Sequence, residues 1–483
     1  MRRLAHCESR VMMCAESSAA PFSAFMRPRS VAIVGASARP GTWGYLLVTR
    51  LMGSGFRGAI YPVNQRGEPI AGLRTYASIR DIPDAVELAV LMIRPDAMAA
   101  ALDDCGRSGV RAAIGLTTGF AETGGEGVRT EDELGAVLDR HHMQFIGPNC
   151  IGVCCPSSGL NIYFERMPRP GNVAILSQGG GLGVYMCDAA RRLDVGLSSF
   201  MTLGNQLRTN LIHCLDWLDS DEDTKAIALY VEGAPRTEPD QFMRRLLIRL
   251  SDINIRKPVV VFHGGKGRLA THLSASHTAS LAVSGARFRG ACRQYGLVET
   301  SSPVDAVLMA DALAKRRVVG GRRMGIVASG SQGMYISDLC EDYGLQVPEL
   351  SATDRKSIGA LLPAYANSPR NPVDLAGAPD RLGLLATVLK ALVRIPYIDS
   401  VIYTLPNASQ LSFTAEDQVD QLTESLASVS DAGKPVVAVR WMEETHAYVR
   451  DALRERGQIL VDTPEEAVRI SAALSSIGRS EDS

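Results

Sequence analysis

His277 lies in Ser276-His-Thr-Ala-Ser-Leu-Ala282, a run of small and hydroxyl-bearing residues that leaves an imidazole reachable. The flanking serine and threonine can cap a helix or contact an anion. Such a histidine can act as a nucleophile when a second group fixes its tautomer and orientation. Glu232 is the candidate for that group. It closes the apolar strand Ala226-Ile-Ala-Leu-Tyr-Val-Glu-Gly233, at the edge where open parallel sheets bind ligands. Plainer readings stand beside these: a lone histidine is most often structural, and an acid at a strand end is often a cap. His141 and His142 end a helix, His272 and His446 read as solvated helix positions, and His6 is in the N-terminal tail.

The elements that position these groups show as a repeated pattern. A short apolar strand runs through glycines into a helical segment in Ser30-Val-Ala-Ile-Val-Gly-Ala-Ser37, in Asn172-Val-Ala-Ile-Leu-Ser-Gln-Gly-Gly-Gly-Leu-Gly183 and in Met324-Gly-Ile-Val-Ala-Ser-Gly-Ser-Gln-Gly333. The spacing, about 145 residues, is that of whole domains rather than of a solenoid repeat. Loop N–H groups and a helix N-terminus at the end of a buried strand make an anion pocket. The first loop, Gly35-Ala-Ser-Ala-Arg-Pro-Gly-Thr-Trp-Gly44, is not GxGxxG, and the following strand ends Tyr61-Pro-Val-Asn64 without the acid that holds a nicotinamide ribose. It also lacks the GK[ST] ending of a P-loop. It therefore suits a phosphate-bearing nucleotide other than NAD. Three consecutive glycines in Ser177-Gln-Gly-Gly-Gly181 let a backbone approach a phosphate closely.

The 483 residues carry 51 Lys+Arg against 52 Asp+Glu, a net charge of −1, so no general attraction to nucleic acid or anionic membrane is expected. With 46% hydrophobic and 21% charged residues the composition is that of a globular protein, of about three domains by length. No apolar run approaches the roughly 18 residues that span a bilayer. Ten cysteines are scattered without paired CxxC spacing, and Cys150, Cys154 and Cys155 have no second ligand pair, so buried thiols are expected, no metal site, and a reducing, cytoplasmic setting. Residues 1–25 read as a flexible extension, with a transit peptide as the alternative.

Strands are expected at Val31–Val34, Ala59–Val63, Leu88–Ile93, Ala112–Leu116 and Phe145–Ile146, with helices between them. A second series follows Pro168-Arg-Pro-Gly171, at Val173–Leu176, Ser198–Thr202, Ala226–Val231 and Pro258–Phe262. A third follows Lys315–Arg323, at Gly325–Ala328, Ser400–Thr404, Val436–Val439 and Gln458–Val461, interrupted by a turn-rich insertion from Pro363 to Asp374. This alternation predicts an α/β protein with parallel, doubly wound sheets.

With these residues in place, Pro28-Arg-Ser-Val-Ala-Ile-Val-Gly-Ala-Ser37, Gly119-Phe-Ala-Glu122, Gly147-Pro-Asn-Cys150, Ser177-Gln178, Gly204-Asn205, Leu229-Tyr-Val-Glu-Gly233, Ser276-His-Thr278 and Asn371-Pro-Val-Asp374 occur in one order. On these motifs nearly the whole chain resembles the α subunit of ADP-forming (NDP-forming) acyl-CoA synthetases, of the succinyl-CoA-synthetase-like superfamily. The resemblance implies a Rossmann-like CoA-binding domain at 26–160, a phosphohistidine ligase domain at 165–318 and a second flavodoxin-like ligase domain at 322–478. It implies that acyl-CoA and inorganic phosphate give an acyl phosphate, that His277 takes the phosphoryl group, and that ADP receives it. Glu232 would hydrogen-bond the imidazole. Ser177, Gly179, Gly180, Gly181, Ser276 and Thr278 would hold phosphate. Gly35, Ser37, Arg39, Gly41, Gly44, Asn64, Thr117, Thr118, Gly119 and Asn149 would bind coenzyme A. ADP/ATP with Mg²⁺ would sit on a separate ATP-grasp β subunit in a homo- or hetero-oligomer, and the substrate would be a small carboxylic acid or its acyl-CoA.

The chain departs from the family pattern at Gly179, where SQSG is usual, at Ala279 and Val283, where glycines are usual, and at Arg208, Asn210 and His213, where acids are usual. A catalytically diverged regulatory protein that binds CoA or acyl-CoA is the alternative reading.

Overall fold

Five parallel strands, β1 (Ser30–Val34), β2 (Ala59–Val63), β3 (Leu88–Leu91), β4 (Ala112–Gly115) and β5 (Gln144–Ile146), form the first sheet in the order β2-β1-β3-β4-β5. Helices α1 (Trp43–Gly53), α2 (Pro95–Arg107) and α3 (Glu126–Arg140) connect them. In the computed structural model the described residues are 22–265, 281–282, 285–315, 321–363, 369–375, 381–405, 429, 433–441 and 447–477. The central strands Leu-Ala-Val-Leu and Ala-Ala-Ile-Gly are wholly buried, as expected for parallel strands covered on both faces. Alternate residues serve opposite cores. Val31, Ile33, Leu88, Val90 and Ile114 face one side, and Ala32, Ala89, Leu91, Ala113 and Phe145 the other.

The second sheet contains β6 (Val153–Cys155), β7 (Leu160–Asn161), β8 (Pro170–Ser177), β9 (Leu197–Thr202), β10 (Ala226–Val231), β12 (Val259–His263) and β14 (Val298–Thr300), in the order β14-β12-β10-β8-β9-β6-β7. A two-stranded ribbon pairs β11 (Gly233–Ala234) with β13 (Leu281–Ala282). Helices α4 (Gly180–Arg192), α5 (Leu211–Ser220), α6 (Phe242–Asn254), α7 (Gly285–Gln294) and α8 (Pro303–Lys315) complete this part. Strands β6 and β7, in a segment that the sequence reading gives to the first domain, pair antiparallel at the edge of the second sheet, with Cys154 opposite Phe200. One core cluster runs from Val31 and Ile33 through Cys155 and Leu160 to Ala174 and Leu176, so the two sheets share buried apolar surface. Both belong to one compact unit, residues 1–311; residues 312–483 form another.

The packed chain begins earlier than residue 26. Residues 22–26 form a helical turn in which Phe25 and Met26 are fully buried, and Phe22 stacks on Trp217 with ring centroids 5.7 Å apart. Burial of three large apolar side chains holds this turn, which the sequence reading leaves mostly in the flexible extension.

In the second unit β15 (Met324–Ala328), β16 (Val373–Asp374), β17 (Ser400–Thr404), β18 (Val436–Val439) and β19 (Ile459–Val461) are all parallel, in the order β16-β15-β17-β18-β19. Their helices are α9 (Ser331–Asp342), α10 (Ala352–Gly359), α11 (Arg381–Val393), α12 (Ala447–Glu455) and α13 (Pro464–Ile477). The expected turn-rich insertion ends in the edge strand β16. Asn371 makes this possible: its amide donates to the Met324 and Pro348 carbonyls, and its Oδ1 accepts from Ile326 N, so a side chain fixes the strand's entry.

Counted from its own glycine-loop strand, each sheet has the order 2-1-3-4-5. Strand order reverses between β1 and β3, between β8 and β10, and between β15 and β17. Ligand crevices of doubly wound sheets open at such points, beyond the strand C-termini. No described helix is long and apolar enough to cross a membrane.

Candidate functional site

The crevice of the second sheet brings the polyglycine turn to Glu232. Tyr230 lies opposite Ser177 in the β8–β10 register. One residue past β10, Glu232 is only 5% exposed, and the Tyr230 hydroxyl donates to its Oε1 at 3.0 Å. Burial, reinforced by the Glu232 carboxylate, pushes the Tyr230 phenol far above its ordinary value, so it stays a proton donor. Gln178 is fully buried, and its Oε1 accepts from Glu232 N at 2.8 Å and Gly233 N at 3.2 Å. The side chain before the glycines thus fixes the backbone of the acid.

The three glycines differ in what they permit. A Cβ on Gly179 would lie 2.6 Å from Glu232 Oε1, one on Gly180 would lie 2.4 Å from Ile151 Cγ1, and one on Gly181 would meet nothing within 4 Å. At Gly179, where SQSG is usual, a side chain would meet the Glu232 carboxylate as it is placed here. Helix α4 starts at Gly180 with no capping side chain from Gly179, and its first N–H groups, like those of any helix start, lack an intrahelical acceptor, the kind of donors that can serve an anion. The Ser177 hydroxyl is fully buried and donates to the Gly179 carbonyl at 2.6 Å, bracing the turn from inside.

Ser276, His277 and Thr278 lie outside the described residues, as do Ala279 and Val283. The chain on either side of residues 266–280 is placed. Gly264 N donates to the Val231 carbonyl at 2.9 Å, and β13 pairs with β11, Ala282 opposite Gly233 and Leu281 opposite Ala234. Both ends of the segment are therefore held next to Glu232.

In the first sheet, Gly35, Asn64 and Thr117 line a cavity of about 860 Å³ with Ser78, Met92 and Ile93. Gly35 has φ +92°, and a Cβ there would lie 2.2 Å from the Met92 carbonyl oxygen. Its N–H and that of Ala36 both donate to the Val63 carbonyl, so Gly35 contributes close approach and not an anion contact. The Asn64 amide donates to the Ala36 carbonyl at 2.5 Å, and the Thr117 hydroxyl to the Ile93 carbonyl at 2.7 Å. Arg39, Gly41 and Thr118 are solvent-facing, and Ser37 and Gly44 shape the entry to α1. Gly119 and Asn149 lie beside Thr117, whose carbonyl accepts from Asn149 N at 2.9 Å. Met92 and Ile93 were not foreseen as lining residues; their position just past β3, at the strand-order reversal, is the signal that finds them.

Gly35→Ala is expected to lower stability by about 1–3 kcal/mol, the range for a side chain forced into a rare backbone conformation. Thermal unfolding checks it; an unchanged melting temperature would show that the loop does not need this conformation.

The third loop differs from the second despite its similar letters. Helix α9 already begins at Ser331, whereas α4 begins two residues after Gln178. Gln332 Oε1 accepts from the Thr404 hydroxyl at 2.9 Å, and Gly330 N donates to Asp374 at 2.8 Å. Among the described residues no group of three or more His, Cys, Asp or Glu side chains could hold a metal ion.

Residues 29–156 match the family model of a CoA binding domain, and residues 170–313 that of a succinyl-CoA ligase like flavodoxin domain. The chain is 30% identical over 461 residues to the α subunit of acetate–CoA ligase (ADP-forming) I of Pyrococcus furiosus, covering 93% of this chain and 96% of that one. It is 29% identical over 447 residues to acetate–CoA ligase (ADP-forming) I of Archaeoglobus fulgidus, covering 89% of this chain but 64% of that longer protein. Among solved structures it resembles Ca. Korarchaeum cryptofilum dinucleotide forming acetyl-coenzyme A synthetase 1 in complex with phosphate and ADP, with a TM-score of 0.81, 27% identity, and coverage of 95% of this chain and 97% of that one.

Proposed function

The chain belongs to the ADP-forming acyl-CoA synthetase family as an α-subunit-type member, and from that premise we propose that it works through a phosphohistidine at His277. It interconverts acyl-CoA, phosphate and ADP with carboxylic acid, CoA and ATP. In the direction of ATP formation, a phosphate oxygen bonds to the thioester carbonyl carbon, the C–S bond breaks, and CoA leaves with a proton from phosphate. One imidazole nitrogen of His277 then bonds to phosphorus as the acyl phosphate P–O bond breaks and the carboxylate departs. Glu232 accepts the N–H of the other ring nitrogen, fixing the tautomer and balancing the charge of the phosphorylated ring. The α4 N-terminus at Gly179, Gly180 and Gly181, braced by Ser177 and joined by Ser276 and Thr278, holds the phosphate. Positioning and charge neutralisation carry most of the catalysis in such transfers.

The observation that carries this reading is the pairing of β13 with β11. It fixes Leu281, four residues after His277, opposite Ala234, two residues after Glu232. The first-sheet cavity, with Gly35, Asn64 and Thr117 on its wall, fits CoA, and the turn carrying Thr118 and Gly119 lies at the same edge, joined to the loop of Asn149 by the bond from Asn149 N to the Thr117 carbonyl. We read the chain as CoA-binding, phosphohistidine ligase and second ligase domains at 26–160, 165–318 and 322–478. ADP/ATP and Mg²⁺ belong to an ATP-grasp partner; a relative named as a subunit and a longer single-chain relative favour that division. The eight described cysteines are free and buried, which favours a cytoplasmic setting. Relatives named as ligases favour turnover over a CoA-sensing role.

The purified chain alone is expected to make no ATP from acyl-CoA, phosphate and ADP, and to do so when reconstituted with an ATP-grasp subunit. Unaided ATP formation would contradict the partner. CoA binding without phosphorylation in the reconstituted complex would favour the regulatory reading.

A further inference from the structure

Asn205 sits where the CoA-binding and ligase parts of the first unit meet, and it is 2% exposed. Its amide nitrogen donates to Glu122 Oε2 at 2.6 Å and to Glu131 Oε2 at 2.7 Å, and its N–H donates to the Pro148 carbonyl at 3.0 Å. The Asn149 amide reaches its Oδ1 at 3.3 Å. The other oxygen of Glu122 accepts from Gly119 N at 2.6 Å and Phe120 N at 3.2 Å, so this carboxylate shapes the turn beyond β4 that borders the CoA cavity. On the other side, Gly204 N donates to the Gln178 carbonyl at 3.0 Å, and the Gln178 side chain holds Glu232 N and Gly233 N. A continuous chain of hydrogen bonds and one intervening peptide therefore runs from Gly119 through Glu122, Asn205, Gly204 and Gln178 to Glu232. Glu131 is fully buried and also accepts from Arg236 at 3.1 Å; burial raises its carboxyl above the ordinary range. Two acids sharing one amide from the other domain is costly unless every partner is in place, which makes the spacing at Asn205 well defined.

The geometry points to Asn205, with Glu122, as a positioning pair that holds the CoA turn at Thr117–Gly119 in register with the phosphate turn at Ser177–Gly181. Neither residue contacts the reacting atoms. The inference rests on the phosphohistidine reading and adds to it which half of the reaction needs this register. Forming acyl phosphate from acyl-CoA and phosphate needs a thioester from one turn aimed at an anion on the other. Phosphorylating His277 from ATP needs the phosphate turn only.

The test compares two routes of labelling in the complex of the chain with its ATP-grasp partner. Wild type, Asn205→Ala and Glu122→Gln are labelled from acyl-CoA with radioactive phosphate, and separately from γ-labelled ATP, and the thermal midpoint of each protein is measured. Glu122→Gln keeps the volume and the acceptor for Gly119, so it guards against an alanine variant that does not fold. Both variants are expected to lose about 10–100-fold in labelling from acyl-CoA and phosphate, the scale for misplacement of about an ångström, while labelling from ATP stays within about threefold of wild type. Equal losses by both routes, or no loss by either, would overturn the positioning role. If wild type takes label from neither donor, the phosphohistidine reading falls and this inference with it.

Discussion

His277→Ala is expected to abolish acid-labile phosphorylation of the chain, whether the donor is acyl-CoA with phosphate or ATP with the partner subunit, and with it net ATP formation. The expected effect is total because, in the proposed mechanism, His277 is the group that bonds to phosphorus, and an alanine offers no lone pair. Binding of CoA is expected to stay at the wild-type level, since the described lining of the cavity at β1–β4 comes from residues 34–117. Phosphate incorporation after rapid alkaline quench, with CoA titration on the same sample, checks both halves. Persistent labelling in the variant would move the nucleophile elsewhere.

Glu232→Gln is expected to slow phosphorylation by roughly 10²–10⁴-fold, the usual scale for loss of an acid–base or orienting partner. The isosteric amide fills the same space beside Gly179 and can still accept from Tyr230, so the fold should survive. What it loses is the negative charge that, in the proposed mechanism, stabilises the ring as it becomes phosphorylated. The acid is well placed for this: Tyr230 holds one oxygen, and the backbone N–H groups of Glu232 and Gly233 are fixed by Gln178. Single-turnover labelling measures the rate, and the thermal midpoint reports the fold. A labelling rate equal to wild type would remove Glu232 from the mechanism.

How much of this was legible in the sequence differs by element. The strands with continuous apolar runs, such as Ala226–Val231, declared themselves because both faces are covered and every residue must be apolar. The short edge strands did not. Val153–Cys155 and Leu160–Asn161 are too brief to show a period, and Val373–Asp374 depends on the side chain of Asn371. Glu232 was readable as an acid ending such a strand. Its fit against Gly179 was not, because a glycine's neighbour in space leaves no mark on its neighbours in sequence. The family resemblance implies Ser177 as a phosphate ligand; only the structure shows its hydroxyl turned inward to Gly179. Asn205, Glu122 and Gln178 stood in recognisable motifs without an assigned role, since their partners are as far apart in the chain as Gly119 and Gln178. The third loop spells Ser-Gln-Gly like the second, yet its helix begins before the glutamine, a shift of register that letters alone do not carry.

The most direct measurement is the site of the phosphoryl group. The complex of this chain with its ATP-grasp partner, incubated with acyl-CoA and labelled phosphate and digested at alkaline pH, should yield by mass spectrometry a single phosphopeptide with the label on His277, lost in mild acid. A label that survives acid, or one carried by any residue other than His277, would contradict the account.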